Sequence, residues 1–271
     1  MKREPAVAGY FYPGEKESLL LELKGLIKFS QEKIPALGIV VPHAGYMYSG
    51  GVAGKVYGKI SPPDVAIIMG PNHTGLGERV SLFDGESFLT PLGEVKVERE
   101  LAELLFNETN LVKKDRWAHI REHSLEVQVP FLQFLNPQVK IVPLCLSELD
   151  LYEIRELGKA LAKAVKVYTE QTGKKTLIVA SSDFSHYEPH SVAKKKDGLA
   201  IEEILKLSEE GLLKTVIGQR ISMCGIMPVS VTIVACKELG AENALLVEYK
   251  TSGDITGDYS AVVGYGGIII Y

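Results

Sequence analysis

The chain has 271 residues, 46% of them hydrophobic, with 30 Lys plus Arg set against 34 Asp plus Glu. That near balance, without a basic stripe interleaved with aromatics, argues against a nucleic-acid partner. No apolar run approaches the roughly 20 residues a membrane helix needs. The start, Met1-Lys2-Arg3-Glu4-Pro5, also lacks the apolar core of a signal peptide, so a cytoplasmic protein without membrane association is expected.

In chain order, residues 5–14 (PAVAGYFYPG) predict an aromatic, turn-rich entry. A helix follows over Glu15 to Phe29, with Leu19, Leu20, Leu23, Leu26 and Ile27 on one face. Leu37 to Val41 reads as a strand buried on both faces and ends in Pro42-His43-Ala44-Gly45-Tyr46. A glycine-rich turn with Tyr46 and Tyr48 leads to a short helix near Val52 to Ile60. After Pro62 and Pro63, Val65 to Met69 is a second buried strand, ending in Gly70-Pro71-Asn72-His73. This order predicts a βαβ unit of adjacent parallel strands with a right-handed crossover. Val80 to Val97 breaks into short segments and predicts a hairpin placed to overhang a site.

A helix near Glu98 to Asn107 and a polar loop over Asp115 to Glu122 come next. The following helix is expected to be capped by Ser124, with Pro130 causing a kink or a late start. Val139 to Leu146 is strand-like, and Asp150 to Thr169 is strongly helical. A third buried strand, Leu177 to Val179, runs into Ser181, Ser182, Asp183, Ser185 and His186. Helical segments cover Val192 to Leu207 and Glu209 to Ile217, the pattern breaks at Ser222-Met223-Cys224-Gly225, and a helix spans Pro228 to Leu239. Strands near Ala244 to Tyr249 and Ala261 to Ile270, joined by the turn SGDITGD, close the chain. No repeat or linker intervenes. The expected fold class is α/β, a single domain over 1–271 with a mostly parallel central sheet flanked by helices.

Ligands of open parallel sheets collect outside the carboxyl ends of the strands, where three buried strands each deliver a histidine. His43 and His73 sit in equivalent turns and can converge on one ion; imidazole suits Zn, Cu, Fe and Ni alike. Asp183 and His186 fit an acid/base pair, or equally a helix cap beside a solvated histidine. His123 borders a site or belongs to a capping turn. His119 and His190 have no supporting neighbours and are expected at the surface. Of the three cysteines, which lack close pairing and suit a reducing compartment, Cys145 and Cys236 fall in apolar patterns and belong to the core. Cys224 interrupts its pattern. No G-x-S-x-G elbow, P-loop or dinucleotide fingerprint is present.

Five motifs in order, PHAGYMYSG, GPNHTG, EHSLEVQVPFL, SSDFSHYE and MCGIMP, resemble the Memo family (AmmeMemoRadiSam system protein B-like) over essentially the whole chain. That family is related in fold to the class III extradiol ring-cleaving dioxygenases. The resemblance implies that His43 and His73 are metal ligands and that Cys224 takes the third ligand position. It further implies that His186 is a general acid/base, that Asp183 orients it or contacts the metal, and that His123 borders the pocket. The expected metal is Fe(II) or Cu(I), with Zn also open, and a soft thiolate in place of a carboxylate shifts preference toward Cu(I) or Zn. Two functions follow as expectations. One is a metal-dependent redox enzyme of the dioxygenase-like kind, of unknown substrate. The other is a non-catalytic module binding a peptide or protein in the same cleft, with Phe11, Tyr12, Tyr46 and Tyr48 as its aromatic surface. The resemblance also implies radical-SAM and AMMECR-type partner proteins.

Overall fold

Continuous β-branched and aliphatic runs cannot leave either face in water, and the computed structural model, which describes residues 1–271, buries them at the centre of one large sheet. In chain order the elements begin with β1 (Lys2–Arg3), α1 (Lys16–Leu26), β2 (Gly38–Val41), α2 (Gly51–Tyr57), β3 (Val65–Pro71), β4 (Val80–Leu82), β5 (Ser87–Thr90) and β6 (Gly93–Lys96). They continue with α3 (Arg99–Glu108), β7 (Lys113–Lys114), α4 (Val129–Leu135), β8 (Lys140–Leu146), α5 (Leu151–Thr172) and β9 (Thr176–Ser181). The last are β10 (His186–Glu188), α6 (His190–Leu205), α7 (Glu209–Gly218), α8 (Ile226–Glu238), β11 (Ala244–Thr251), α9 (Gly253–Thr256) and β12 (Val262–Ile270).

The large sheet runs β10-β12-β2-β9-β3-β8-β4-β7, with β11 also paired to β12. Its centre, β2-β9-β3-β8, is parallel, and β12 and β4 flank it antiparallel. The expected adjacency of β2 and β3 is corrected: β9 lies between them, aligned so that Val41 faces Ser181 and Met69 faces Ala180. Three neighbouring strands therefore end nearly level. Helices α5 and α8 pack together and α8 lies across β2, β9 and β3, while α1, α2 and α4 form the opposite layer. Helix α5 begins with a reciprocal capping box between Asp150 and Glu153 and ends at Gly173 in the left-handed region, φ 69.

Several local expectations change. The hairpin is real, β5 against β6, but it joins β1 in a separate three-stranded sheet, and none of its residues lines the cleft described below. Ser124 caps no helix; its hydroxyl donates to the Pro71 carbonyl. A 3-10 turn over Glu126–Gln128 intervenes, and α4 starts late with Pro130 in its first turn, where the missing N–H costs nothing. His119 is a core residue, 1% exposed, held between the Ser81 carbonyl and the Cys145 sulfur. Cys145 and Cys236 are fully buried, as their patterns require.

Candidate metal centre at the carboxyl edge of the sheet

Two residues beyond the ends of β2, β9 and β3 stand His43, Asp183 and His73. His43 is buried, and its Nδ1 lies 3.0 Å from Ser181 Oγ. Ser181 Oγ donates its single proton to the Ser124 carbonyl at 2.7 Å and accepts from Gln128 Nε2 at 2.8 Å. His43 Nδ1 must therefore be the donor, which leaves Nε2 with a bare lone pair. His73 is fixed in the same sense. Its Nδ1 meets Glu122 Oε1 at 2.9 Å and its backbone N–H donates to Glu122 Oε2 at 2.7 Å. A histidine whose Nδ1–H is spent on an outer partner presents Nε2 as a ligand, the usual support of metal-bound imidazole.

His123 stacks on His73 with ring centroids 4.8 Å apart and planes at 16°. Donor atoms of His43, His73 and His123 all lie within 4.8 Å of one another. Gly70 makes this approach possible, since a Cβ there would meet Ser124 Oγ at 2.4 Å. Cys224 enters from the turn before α8, where Gly225 allows it to press on β9; a Cβ at Gly225 would lie 2.4 Å from Ser182 Cβ. Cys224 Sγ stands 3.2 Å from His43 Nε2 and accepts the Asp183 N–H at 3.3 Å. It touches one imidazole and stands outside the group of three.

Electrostatics separate these groups. Burial, reinforced by the charges of His123, His73 and His186, holds His43 well below the ordinary histidine value, so it is neutral. His123 is also lowered, chiefly by burial. Burial opposes charge on His73, but the hydrogen bond and charge of Glu122 outweigh it and raise His73. Burial would likewise raise Glu122, yet His73 and the Ser124 hydrogen bonds hold its carboxyl at about 2. Asp183, which accepts the His43 N–H at 2.8 Å, is pushed by burial up to about 6. Burial, and then the Asp183 charge, push the Cys224 thiol up.

His186 lies on the far bank. Its Nδ1–H donates to the Ser222 carbonyl at 2.8 Å and its backbone N–H to Ser222 Oγ at 2.7 Å, so Nε2 is available as a proton acceptor. Asp197, buried within α6, accepts from Ser185 N, Ser185 Oγ and Tyr249 Oη and anchors the loop before His186. On the near bank, fully buried Arg3 donates to the carbonyls of His119 and Glu122 and, at 2.7 Å, to Glu126 Oε2. Glu126 also accepts from Ala6 N, Val7 N and Tyr12 Oη. The first dozen residues thus clamp the turn that carries Glu122 and His123.

A cleft of about 420 Å³ is lined by His43, His73, His123, Asp183 and His186. Phe11 and Tyr48 line its wall as expected, but Tyr12 and Tyr46 are core residues, 3% and 2% exposed. A larger cavity, about 500 Å³, opens at the other edge of the sheet beside Leu37, Pro62 and Thr176 and holds none of the histidines. Sequence reasoning missed Glu122, Gln128 and Arg3. Glu122 and Gln128 both lie in the motif EHSLEVQVPFL, whereas Arg3 left no local signal.

Fold and site together define an α/β protein with a histidine-rich cleft at the carboxyl edge of its sheet. The chain belongs to the Memo-like protein family, whose model matches residues 3–269. It is 46% identical to a MEMO1 family protein of Pyrobaculum aerophilum over 281 residues, 99% of each chain. It is 43% identical to one of Methanocaldococcus jannaschii over 287 residues, covering 99% of this chain and 98% of that one. Among solved structures, an uncharacterised protein of Escherichia coli K12 superposes with a TM-score of 0.57 at 13% identity, over 86% of this chain and 98% of that one. That likeness carries the fold, in accord with the α/β class expected. No helix is long and apolar enough to cross a membrane.

Proposed function

We propose that the protein binds one transition-metal ion at this cleft and uses it in redox chemistry on a small organic substrate. The supporting observation is the matched orientation of His43 and His73, each with Nδ1–H spent on an outer partner and Nε2 as the nitrogen left to meet an ion. His43 and His73 belong to the ligand set. The third donor is Cys224, whose sulfur already stands on His43 Nε2, or His123, which lies in the gathered group. Three imidazoles suit Fe, Cu or Zn alike, whereas a thiolate favours Cu(I) or Zn, and a bound cation would deprotonate the thiol that burial now keeps neutral.

A bound Fe(II) or Cu(I) would supply electron transfer to and from a coordinated reactant. The chain's own residues supply the rest. His186 Nε2, freed by the Ser222 contact, accepts or returns a substrate proton, and Asp183 fixes the turn of His43 through its backbone N–H. Elemental analysis of tag-free protein tests this reading beside His43→Ala, Cys224→Ser and His123→Ala variants. One equivalent of metal, lost with His43→Ala and with one of the other two, supports it and names the third donor. Equal metal content in all four proteins refutes it. The alternative, a peptide- or protein-binding module, draws on the exposed aromatics Tyr10, 88% exposed, and Tyr187, 79% exposed, at the cleft rim. A partner captured equally well by metal-stripped protein would favour that alternative.

A further inference from the structure

The histidine cleft continues into a second compartment of about 470 Å³, and Tyr48, Tyr187, Val263 and Tyr265 line both. Tyr265 is the hinge between them. It is 2% exposed, and its ring stands beside Ser252 and within the fields of Asp183, Tyr48 and Tyr187. Tyr187 projects into solvent from a backbone with φ 60, an unfavourable conformation for a bulky residue, and strain of this kind gathers at ligand-binding positions.

The charge of this lining is one-sided. No Lys or Arg lines either compartment, and the two carboxylates that do are Asp183 in the inner and Asp258 in the outer. Ser260 N and Oγ both donate to Asp258 Oδ1, at 2.9 and 2.6 Å, which leaves Oδ2 uncommitted. Those bonds hold the Asp258 carboxyl below its ordinary value and keep it ionised at neutral pH. Tyrosines that line one compartment with a free carboxylate oxygen are the elements of a receptor for an organic cation. A phosphate or carboxylate would find no fixed cation except a histidine or the metal itself.

We propose that the outer compartment binds an organic ammonium group, so that the protein's substrate is an elongated amine. Its cationic end would rest among Tyr48, Tyr187 and Asp258, and its reacting end would reach the histidines. The separation follows from charge, because an ammonium and a metal cation repel one another at short range. This rests on the cleft being the substrate site proposed above, and its test does not require metal.

The experiment is calorimetric titration of metal-stripped, full-length protein with 2-phenylethylammonium, and with 2-phenylethanol and 3-phenylpropionate as neutral and anionic counterparts. The amine is expected to bind about fivefold or more tightly than either counterpart, a preference set by cation–π and carboxylate contacts at a half-exposed site. Asp258→Asn and Tyr187→Ala, both at exposed positions, should each erase most of that preference. Equal binding of the three probes, tighter binding of the acid, or a preference unchanged in both variants would overturn the proposal. The same titration on metal-loaded protein separates the two readings: failure of the metal proposal shows in elemental content, failure of this one in probe selectivity.

Discussion

The two banks of the cleft are held by different physics. On the near bank, Arg3, Glu122 and Glu126 are almost wholly buried; Glu122 fixes His73 through a charge-assisted hydrogen bond, and Arg3 and Glu126 clamp the turn that carries His123. On the far bank, Asp197 and Ser222 hold Asp183 and His186 through a Ser185–Tyr249 hydrogen-bond set and a backbone carbonyl. The near bank is rigid because releasing any partner strands a charge away from water. The far bank carries His186 Nε2 on an edge strand, where small movements cost little. Under the function proposed above, this asymmetry would let the near bank hold an ion while the far bank admits a substrate.

The comparison breaks first at Arg3. Arg3→Met leaves Glu126 buried without its cation and should cost about 3–5 kcal/mol of folding stability, read by denaturant unfolding of the metal-free protein. A loss under 1 kcal/mol would show that the clamp is not structural. Next in size, Glu122→Gln removes the charge and replaces one of the two acceptor oxygens that orient His73 by a donor, and should weaken metal affinity by roughly 10–100-fold, measured by competition with a chelator.

Glu122 also predicts a pH window. Its folded carboxyl sits at about 2, below the ordinary 4.5, so its contribution to stability is complete above pH 4.5 and is lost as pH falls toward 2. In metal-free protein that part of the acid transition should flatten with Glu122→Gln, and an unchanged pH profile would contradict the assignment. On the far bank, Asp197→Asn keeps one acceptor and loses the ability to receive three donors. It should cost about 1–3 kcal/mol while leaving metal content intact. The smallest structural effect belongs to His186→Ala, within about 0.5 kcal/mol of the parent and with full metal content. Loss of metal in that variant would place His186 among the ligands and dissolve the distinction between the banks.

Much of the architecture was legible as pattern. Aliphatic runs such as Val65 to Met69 can be satisfied only by burial on both faces, so the central strands, and the histidines just past their ends, could be read locally. The long helix α5 announced its period, while its Asp150 cap was found only in the structure. His43, His73, His123, Asp183 and His186 all line one cleft, while Cys224, expected as the third ligand, is not among its lining residues.

Tertiary structure alone decided what the local pattern does not encode. The insertion of β9 between β2 and β3 depends on how crossovers pack over the sheet, and neither strand's own residues register it. His119 became a core residue because Ser81 and Cys145, distant in sequence, satisfy its ring nitrogens. The same holds for Arg3, whose partners lie more than a hundred residues away. Periodicity reports which side of an element is buried. Which polar group meets which inside is settled only by folding, since a buried donor or acceptor must find a partner wherever the chain brings one.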